Sequence, residues 1–172
     1  MHRNALSGIF VFLCCVPGYG ATIHVPGDQP TIQAGINAAV NGDTVLVADG
    51  HYHEHINFHG KNITVTSVNG PAVTIIDGDV GTGPVVRIVA PTSAGTAVLH
   101  GFTVQNGSPC CSPAEGGGVE INQAAATITG NIIQFNTSPA DGGGIFNYQG
   151  KAVIDSNTIS HNTVASGVGG GY

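Results

Sequence analysis

GGGVEINQAAATITGNIIQFNTSPAD (116–141) is followed without a gap by GGGIFNYQGKAVIDSNTISHNTVASG (142–167). Ten of the 26 aligned positions are identical: the three leading glycines, Gln123/Gln149, Ala126/Ala152, Ile128/Ile154, Asn131/Asn157, Ile133/Ile159, Asn136/Asn162 and Thr137/Thr163. A fixed period of this kind marks a repeat architecture, in which each unit buries its apolar face against the next copy. Within each copy, short β-branched runs (ATI then NIIQF; AVI then NTIS) are separated by Gly, Asn and Ser, which favours several short strands over any helix. A 26-residue period with three short strands fits one turn of a parallel β-helix. Equivalent residues of successive turns then lie about 4.8 Å apart, so Ile128 should stack on Ile154 and Ile133 on Ile159. Asn131 and Asn157 fall between two strands of a turn, where Asn tolerates left-handed backbone and its amide can bond its stacked copy. The spacing predicts an asparagine ladder.

Outward from this pair the pattern loosens. VLHGFTVQNG (98–107) echoes it, and GGGY at Gly169 opens a third copy that stops. Strands are expected at TVLVA (44–48), INF (56–58), ITVTS (63–67), VTIID (73–77) and VVRIV (85–89), each bounded by turn residues. Before them, PTIQAGINAAVNGD (30–43) places Ile32, Ile36 and Val40 at i, i+4 and i+8, with a Thr31 start and an Asn41-Gly42 stop. That pattern predicts one short amphipathic helix. Lying ahead of the first strand, it would cover the open end of the stack, whose unpaired backbone would otherwise recruit other chains.

Composition sets the location. Residues 1–20 carry Arg3, an apolar run from Ile9 to Val16, and small residues at Gly18 and Gly20, the layout of a cleaved secretory signal. The chain is therefore expected to be secreted or displayed at the cell surface, with no membrane span in its mature part. Cleavage leaves Lys61, Arg87 and Lys151 against ten carboxylates, a formal charge of −7. That balance opposes nucleic-acid binding, which needs many phosphates neutralised. Outside the leader only Cys110 and Cys111 remain, and in an oxidising compartment they could bridge each other, bridge a partner or stay free. Residues 21–43 are read as a cap and 44–172 as the solenoid, left incomplete at its C-terminal end by the unfinished GGGY turn.

The stretch TIHVPGDQPTIQAGINAAVNGDTVLVADGHYHEHINFHGKNITVTS (22–67) resembles the N-terminal cap and first coils of bacterial right-handed parallel β-helix proteins of the pectin-lyase-like superfamily. The GGGV, GGGI and FNT segments are similar to the repeats of polymorphic outer-membrane proteins and related exported adhesins. The resemblance covers nearly all of residues 22–172. It implies an all-β fold, a single-stranded right-handed parallel β-helix with a short N-terminal capping α-helix. Superfamily members include lyases, hydrolases, esterases and adhesins, so fold alone does not choose an activity. Lyase chemistry of that kind, as the resemblance implies it, needs a calcium-binding carboxylate cluster and a basic residue beside it. Lys61 and Arg87 precede the clear repeats, Lys151 aligns with Ala125, and none is placed next to acids on a shared face. There is also no Asp-Asp pair and no Gly-His-Gly, His100-Gly101 being only a fragment. No catalytic residue is assigned.

Three groups of side chains remain as candidate sites. Glu115 and Asp141 each precede a GGG, so they should stack at one corner, where a Ca²⁺ with oxygen ligands or a glycosidase-like pair would fit. Asp77 and Asp79 form a second oxygen pair. HYHEHINFH (51–59) holds four histidines, and if it is extended, His51, His53, His55 and His59 share one outward face while Tyr52, Ile56 and Phe58 point inward. A His-x-His pair such as His53 and His55 could then chelate zinc or copper, with His51 or His59 as third ligand. Glu54 breaks the inward set, which places it at a corner or makes it a buried acid needing a partner. The function expected is an exported interaction module contacting a polysaccharide or another cell-surface ligand, requiring no cofactor. Its alternative is a carbohydrate-active lyase or hydrolase with catalytic coils beyond residue 172.

Overall fold

A computed structural model describes residues 20–79, 81–89, 95–109 and 116–166. The chain opens with β1 (Thr22–Val25) and α1 (Ile32–Ala38). The first coil carries β2 (Thr44–Val47), β3 (Gly50–His53) and β4 (Ile56–Asn57), and the second β5 (Thr64–Ser67), β6 (Thr74–Asp77) and β7 (Val86–Val89). Next come β8 (Ala97–His100) and β9 (Thr103–Gln105), then β10 (Val119–Asn122), β11 (Ala125–Thr129), β12 (Ile132–Gln134) and β13 (Thr137–Ser138). The last described coil holds β14 (Ile145–Tyr148), β15 (Lys151–Asp155), β16 (Thr158–Ser160) and β17 (Thr163–Val164).

Every pairing is parallel and joins one coil to the next. The first sheet runs β1-β2-β5-β8-β11-β15, the second β3-β6-β9-β12-β16 and the third β4-β7-β10-β14, with β13 beside β17. The result is a right-handed parallel β-solenoid of about 5 turns with one short helix near its N-terminus. Ile128 stands against Ile154 and Ile133 against Ile159, as the repeat spacing requires. The 26-residue step holds only there: Thr44 pairs with Thr64 and Gly50 with Thr74, shorter steps, while Thr64 pairs with Val98 and Ala97 with Ala126, longer ones, so the connections between strands lose or gain residues from coil to coil. Those differences in coil length are why the N-terminal coils do not align with the repeat.

Inward positions form apolar columns in all three sheets. Val45, Val65, Leu99, Ile128 and Ile154 make the first; Tyr52, Ile76, Val104, Ile133 and Ile159 the second; Ile56, Val86, Val119 and Ile145 the third. Phe58 and Phe102 are fully buried between them. Each buried aliphatic side chain contributes roughly 1.5–3 kcal/mol relative to exposure, so the stacked columns are the main source of stability. Glycine is required where coils touch: a Cβ on Gly118 would lie 2.5 Å from the carbonyl oxygen of Gly144, and Gly116 and Gly142 both adopt positive φ, 73° and 58°.

The asparagine ladder is present. Asn131, buried, accepts from Phe102 N (2.9 Å) and donates to Leu99 O (3.1 Å), Thr129 O (3.0 Å) and Asn157 Oδ1 (3.1 Å). Asn157 Oδ1 in turn accepts from Asn131 N, and its Nδ2 donates to Ile128 O (2.7 Å). A second ladder of the same design joins Asn136 and Asn162, linking Gly107 N, Val104 O and Ile133 O. Backbone groups that the coil turns leave without a β partner are satisfied by these amides.

The cap differs from expectation at one end. α1 stops at Ala38, and Val40, placed by its spacing on the apolar face, is 65% exposed. The helix is cut short because Val40 N donates to Asp43 Oδ2, and Lys61 Nζ donates to the carbonyls of Ile36, Asn37 and Ala39. At the other end Glu54 Oε1 and Oε2 accept from Ile32 N and Gln33 N, and Thr31 Oγ1 accepts from Ala34 N. A carboxylate at the N-terminus and an ammonium at the C-terminus match the helix dipole. Both charges come from the coil beneath, since the helix has no acid in its first turn and no base in its last.

Candidate functional site

The histidine stretch is not one strand. β3 ends at His53, the chain turns at Glu54–His55, and β4 begins at Ile56 on the third sheet. Glu54 turns the corner because its carboxylate is drawn to the N-terminus of α1, which supplies the partner a half-buried acid needs. The four histidines are thereby separated, correcting the single-face expectation. His51 and His53 stay together on the exposed face of β3. His55 turns towards Pro84, its Nδ1 2.9 Å from the carbonyl oxygen. A carbonyl only accepts, so that nitrogen carries the proton, while Nε2 is buried with no partner among the described residues. His59 sits exposed in a left-handed turn with φ 51°. His53 and His55 are therefore not brought together; His51 and His53 are.

Strand register then brings carboxylates to the pair. His53 lies alongside Asp77 on β6, and His51 faces the same way two residues earlier. His51 Nε2 is 2.7 Å from Asp77 Oδ2, His53 Nδ1 is 2.8 Å from Asp79 Oδ1, and the two imidazoles stack with centroids 4.4 Å apart. One ring nitrogen from each histidine and one Asp77 oxygen all lie within 4.8 Å of one another. Asp77 is almost wholly buried, 3% exposed, and also accepts from Gln105 Nε2 (2.7 Å), Asn106 Nδ2 (2.8 Å) and Asp79 N (3.2 Å). Burial pushes its carboxyl up, but these hydrogen bonds, with that of His51, outweigh burial and hold it below the ordinary carboxylate value. The hydrogen bond to Asp79 raises the pKa of His53, opposed by partial desolvation and helped by the charges of Asp79 and Asp77.

The cluster begins a polar stripe. His53, Asp77, Gln105, Gln134 and Ser160 occupy one register position of the second sheet, strand after strand. Gln134 Nε2 reaches Gln105 Oε1 at 3.5 Å, and Gln105 reaches Asp77. The next residue along each of the last three strands, Asn106, Phe135 and His161, is left-handed, with φ 60°, 56° and 55°. Asn is at ease there, and Phe is not. Yet Phe135 stands 53% exposed with its ring 5.3 Å from that of His161.

A second group lies on the third sheet. Arg87 and Glu120 are register partners on β7 and β10, with Nε 2.9 Å from Oε2 and Nη2 3.3 Å from Oε1. Glu120 is buried and Arg87 half exposed. This corrects the expectation that no basic residue sits beside an acid on a shared face: the step from Arg87 to Glu120 is 33 residues, so the 26-residue alignment could not bring them together. Arg87 also borders a 190 Å³ groove lined by His55, Ile56, Asn57, Thr82, Gly83 and Pro84. Asp141 is half-buried, its carbonyl accepting from Gly116 N at 3.3 Å. Its expected partner Glu115 lies outside the described residues, as do Cys110, Cys111, the 1–19 part of the leader and the GGGY terminus.

The joining of His51 and His53 to Asp77 and Asp79 was missed in the sequence, though a signal existed. That signal is the matched two-residue spacing of His51-x-His53 and Asp77-x-Asp79 in successive coils. The 26-residue separation is not the repeat step, because β3 and β6 pair with a step of 24 and each histidine reaches the carboxylate two residues beyond its register partner. No family model, no curated protein and no solved structure matches the chain. Among the described residues no helix is long and apolar enough to cross a membrane.

Proposed function

We propose that this chain is an exported β-helix interaction module, of the pectin-lyase-like kind that its N-terminal coils resemble, and that it binds an extended polysaccharide along the second sheet. The observation that carries this reading is the single-file column His53, Asp77, Gln105, Gln134 and Ser160. Such a column presents imidazole, amide and hydroxyl groups along successive strands about 4.8 Å apart, with the buried Asp77 carboxylate bracing His51 and Gln105 from beneath. A regular row of planar donors and acceptors suits a polymer carrying hydroxyl groups at a regular repeat. Phe135 supports it. An aromatic ring held exposed in a left-handed turn contributes nothing there that Asn would not provide more easily, whereas its flat face can stack on the C–H face of a sugar.

The reading is tested by calorimetric titration and glycan-array binding with the wild type, Gln134→Ala and Phe135→Asn. Binding should fall about tenfold or more in each variant, which is about 1.4 kcal/mol, while the melting temperature of Phe135→Asn holds or rises. Absence of glycan binding, or binding indifferent to both changes, would refute it. Depolymerisation of the bound glycan, seen as new reducing ends or unsaturated uronate absorbance, would favour the lyase or hydrolase alternative.

A further inference from the structure

We propose that His51, His53 and Asp77 form a binding site for one divalent transition cation of the zinc class on the exposed face of the second sheet. The site follows from the strand register. Parallel pairing sets His53 beside Asp77, and the two-residue period of a strand returns His51 to the same face. One ring nitrogen of each histidine and one Asp77 oxygen converge to within 4.8 Å of one another.

The chemistry of the set selects the ion. Two imidazole nitrogens and one carboxylate oxygen are ligands for zinc, copper and their neighbours, whereas calcium takes six to eight oxygens. The groups that usually orient such ligands are also in place. Asp79 receives the Nδ1 proton of His53, which leaves the Nε2 lone pair available to a cation. Gln105 and Asn106 pin the Asp77 carboxylate through one oxygen each, so its direction is set before any cation arrives.

Occupancy requires a small local change. His51 Nε2 and Asp77 Oδ2 now share a proton at 2.7 Å, the nitrogen donating. A tetrahedral cation with ligands at about 2.0–2.1 Å separates them to about 3.3 Å. Solvent carries the Nε2 proton to Nδ1, so the imidazole stays neutral, and the cation takes the lone pair freed at Nε2. Because the His51 and His53 side chains are 46% and 48% exposed, rotation of the rings achieves this without moving either strand. The same exposure gives the ion a path from solvent and leaves outward coordination positions unfilled by protein. The inference is independent of polysaccharide binding: zinc affinity can be present without glycan affinity, and the reverse.

The test is a titration of the EDTA-stripped, dialysed full chain with Zn²⁺, and separately with Ca²⁺, by calorimetry. The expected result is one Zn²⁺ per chain without a comparable Ca²⁺ response. His51→Ala and His53→Ala should each weaken Zn²⁺ binding at least tenfold, and His59→Ala and His100→Ala should leave it unchanged. Both cluster variants alter exposed side chains, and unchanged far-UV circular dichroism and melting confirm their fold. Zn²⁺ binding no stronger in the wild type than in the His51→Ala/His53→Ala double variant would overturn the proposal. So would a loss confined to one of the two cluster histidines, or a loss produced by the His59 or His100 variant.

Discussion

Replacing Asn131 by alanine tests whether the coils are held together by interior amides as well as by apolar columns. The side chain makes four hydrogen bonds to three coils: it accepts from Phe102 N and donates to Leu99 O, Thr129 O and Asn157 Oδ1. In Asn131→Ala the N–H of Phe102, a residue with no exposed surface, loses its acceptor. An orphaned buried donor costs about 1–3 kcal/mol, and the lost bond to the Leu99 carbonyl adds about 1 kcal/mol, for a total of about 2–4 kcal/mol. Asn157→Ala provides the internal control. It has the same residue type at the same corner and leaves Asn131 N without its acceptor, but Asn157 is only half-buried, so water can enter in place of its amide and the loss should be about 1–2 kcal/mol. Urea unfolding followed by far-UV circular dichroism measures both. Hydrogen exchange should show the Phe102 amide losing protection in Asn131→Ala and retaining it in Asn157→Ala. Equal destabilisation by the two variants, or a cost below about 1 kcal/mol for Asn131→Ala, would refute the reasoning.

Glu54→Ala should release Ile32 N and Gln33 N at the start of α1 and cost about 1–3 kcal/mol, with faster exchange of those two amides and earlier proteolysis within residues 21–43. Thr74→Val should stabilise the chain by about 1 kcal/mol, because the Thr74 hydroxyl is buried with no partner among the described residues; a lowered urea midpoint would count against it. Hydrogen bonds hold the Asp77 carboxyl below 3.8, so its stabilisation is present above that value and is lost as pH falls through the lowered folded pKa. The difference in melting temperature between wild type and Asp77→Asn should therefore be constant near neutrality and shrink only below about pH 3.8. A difference that shrank instead as pH rose through the raised His53 pKa would assign it to pairing with a protonated histidine.

How much was legible depended on how regular each coil is. Strands β2, β4, β5, β6 and β7 were readable to within a residue or so because β-branched runs and turn residues mark them locally. The Ile128/Ile154, Ile133/Ile159 and Asn131/Asn157 contacts were readable because no insertion separates those coils. Arg87 and Glu120 were not, since residues inserted between β7 and β10 change the step while leaving the register intact. The histidine cluster was half legible. Alternation put His51 and His53 on one face, and Glu54, an acid in the inward set, marked a corner, but nothing local to 51–59 shows that the turn there sends His55 to a different sheet.

Glu54 and Lys61 draw the boundary most clearly. The sequence by itself determined a repeating parallel coil, its inward isoleucines, its amide ladder and a helix ahead of the first strand, because periodicity, turn chemistry and helix signals act within a few residues or at one fixed step. Only the tertiary structure decided that Glu54 and Lys61 close the two ends of that helix, and that Asp77 and Asp79 meet His51 and His53. Such contacts follow from where a corner falls and how long a particular coil is, quantities set by the packing of the whole stack.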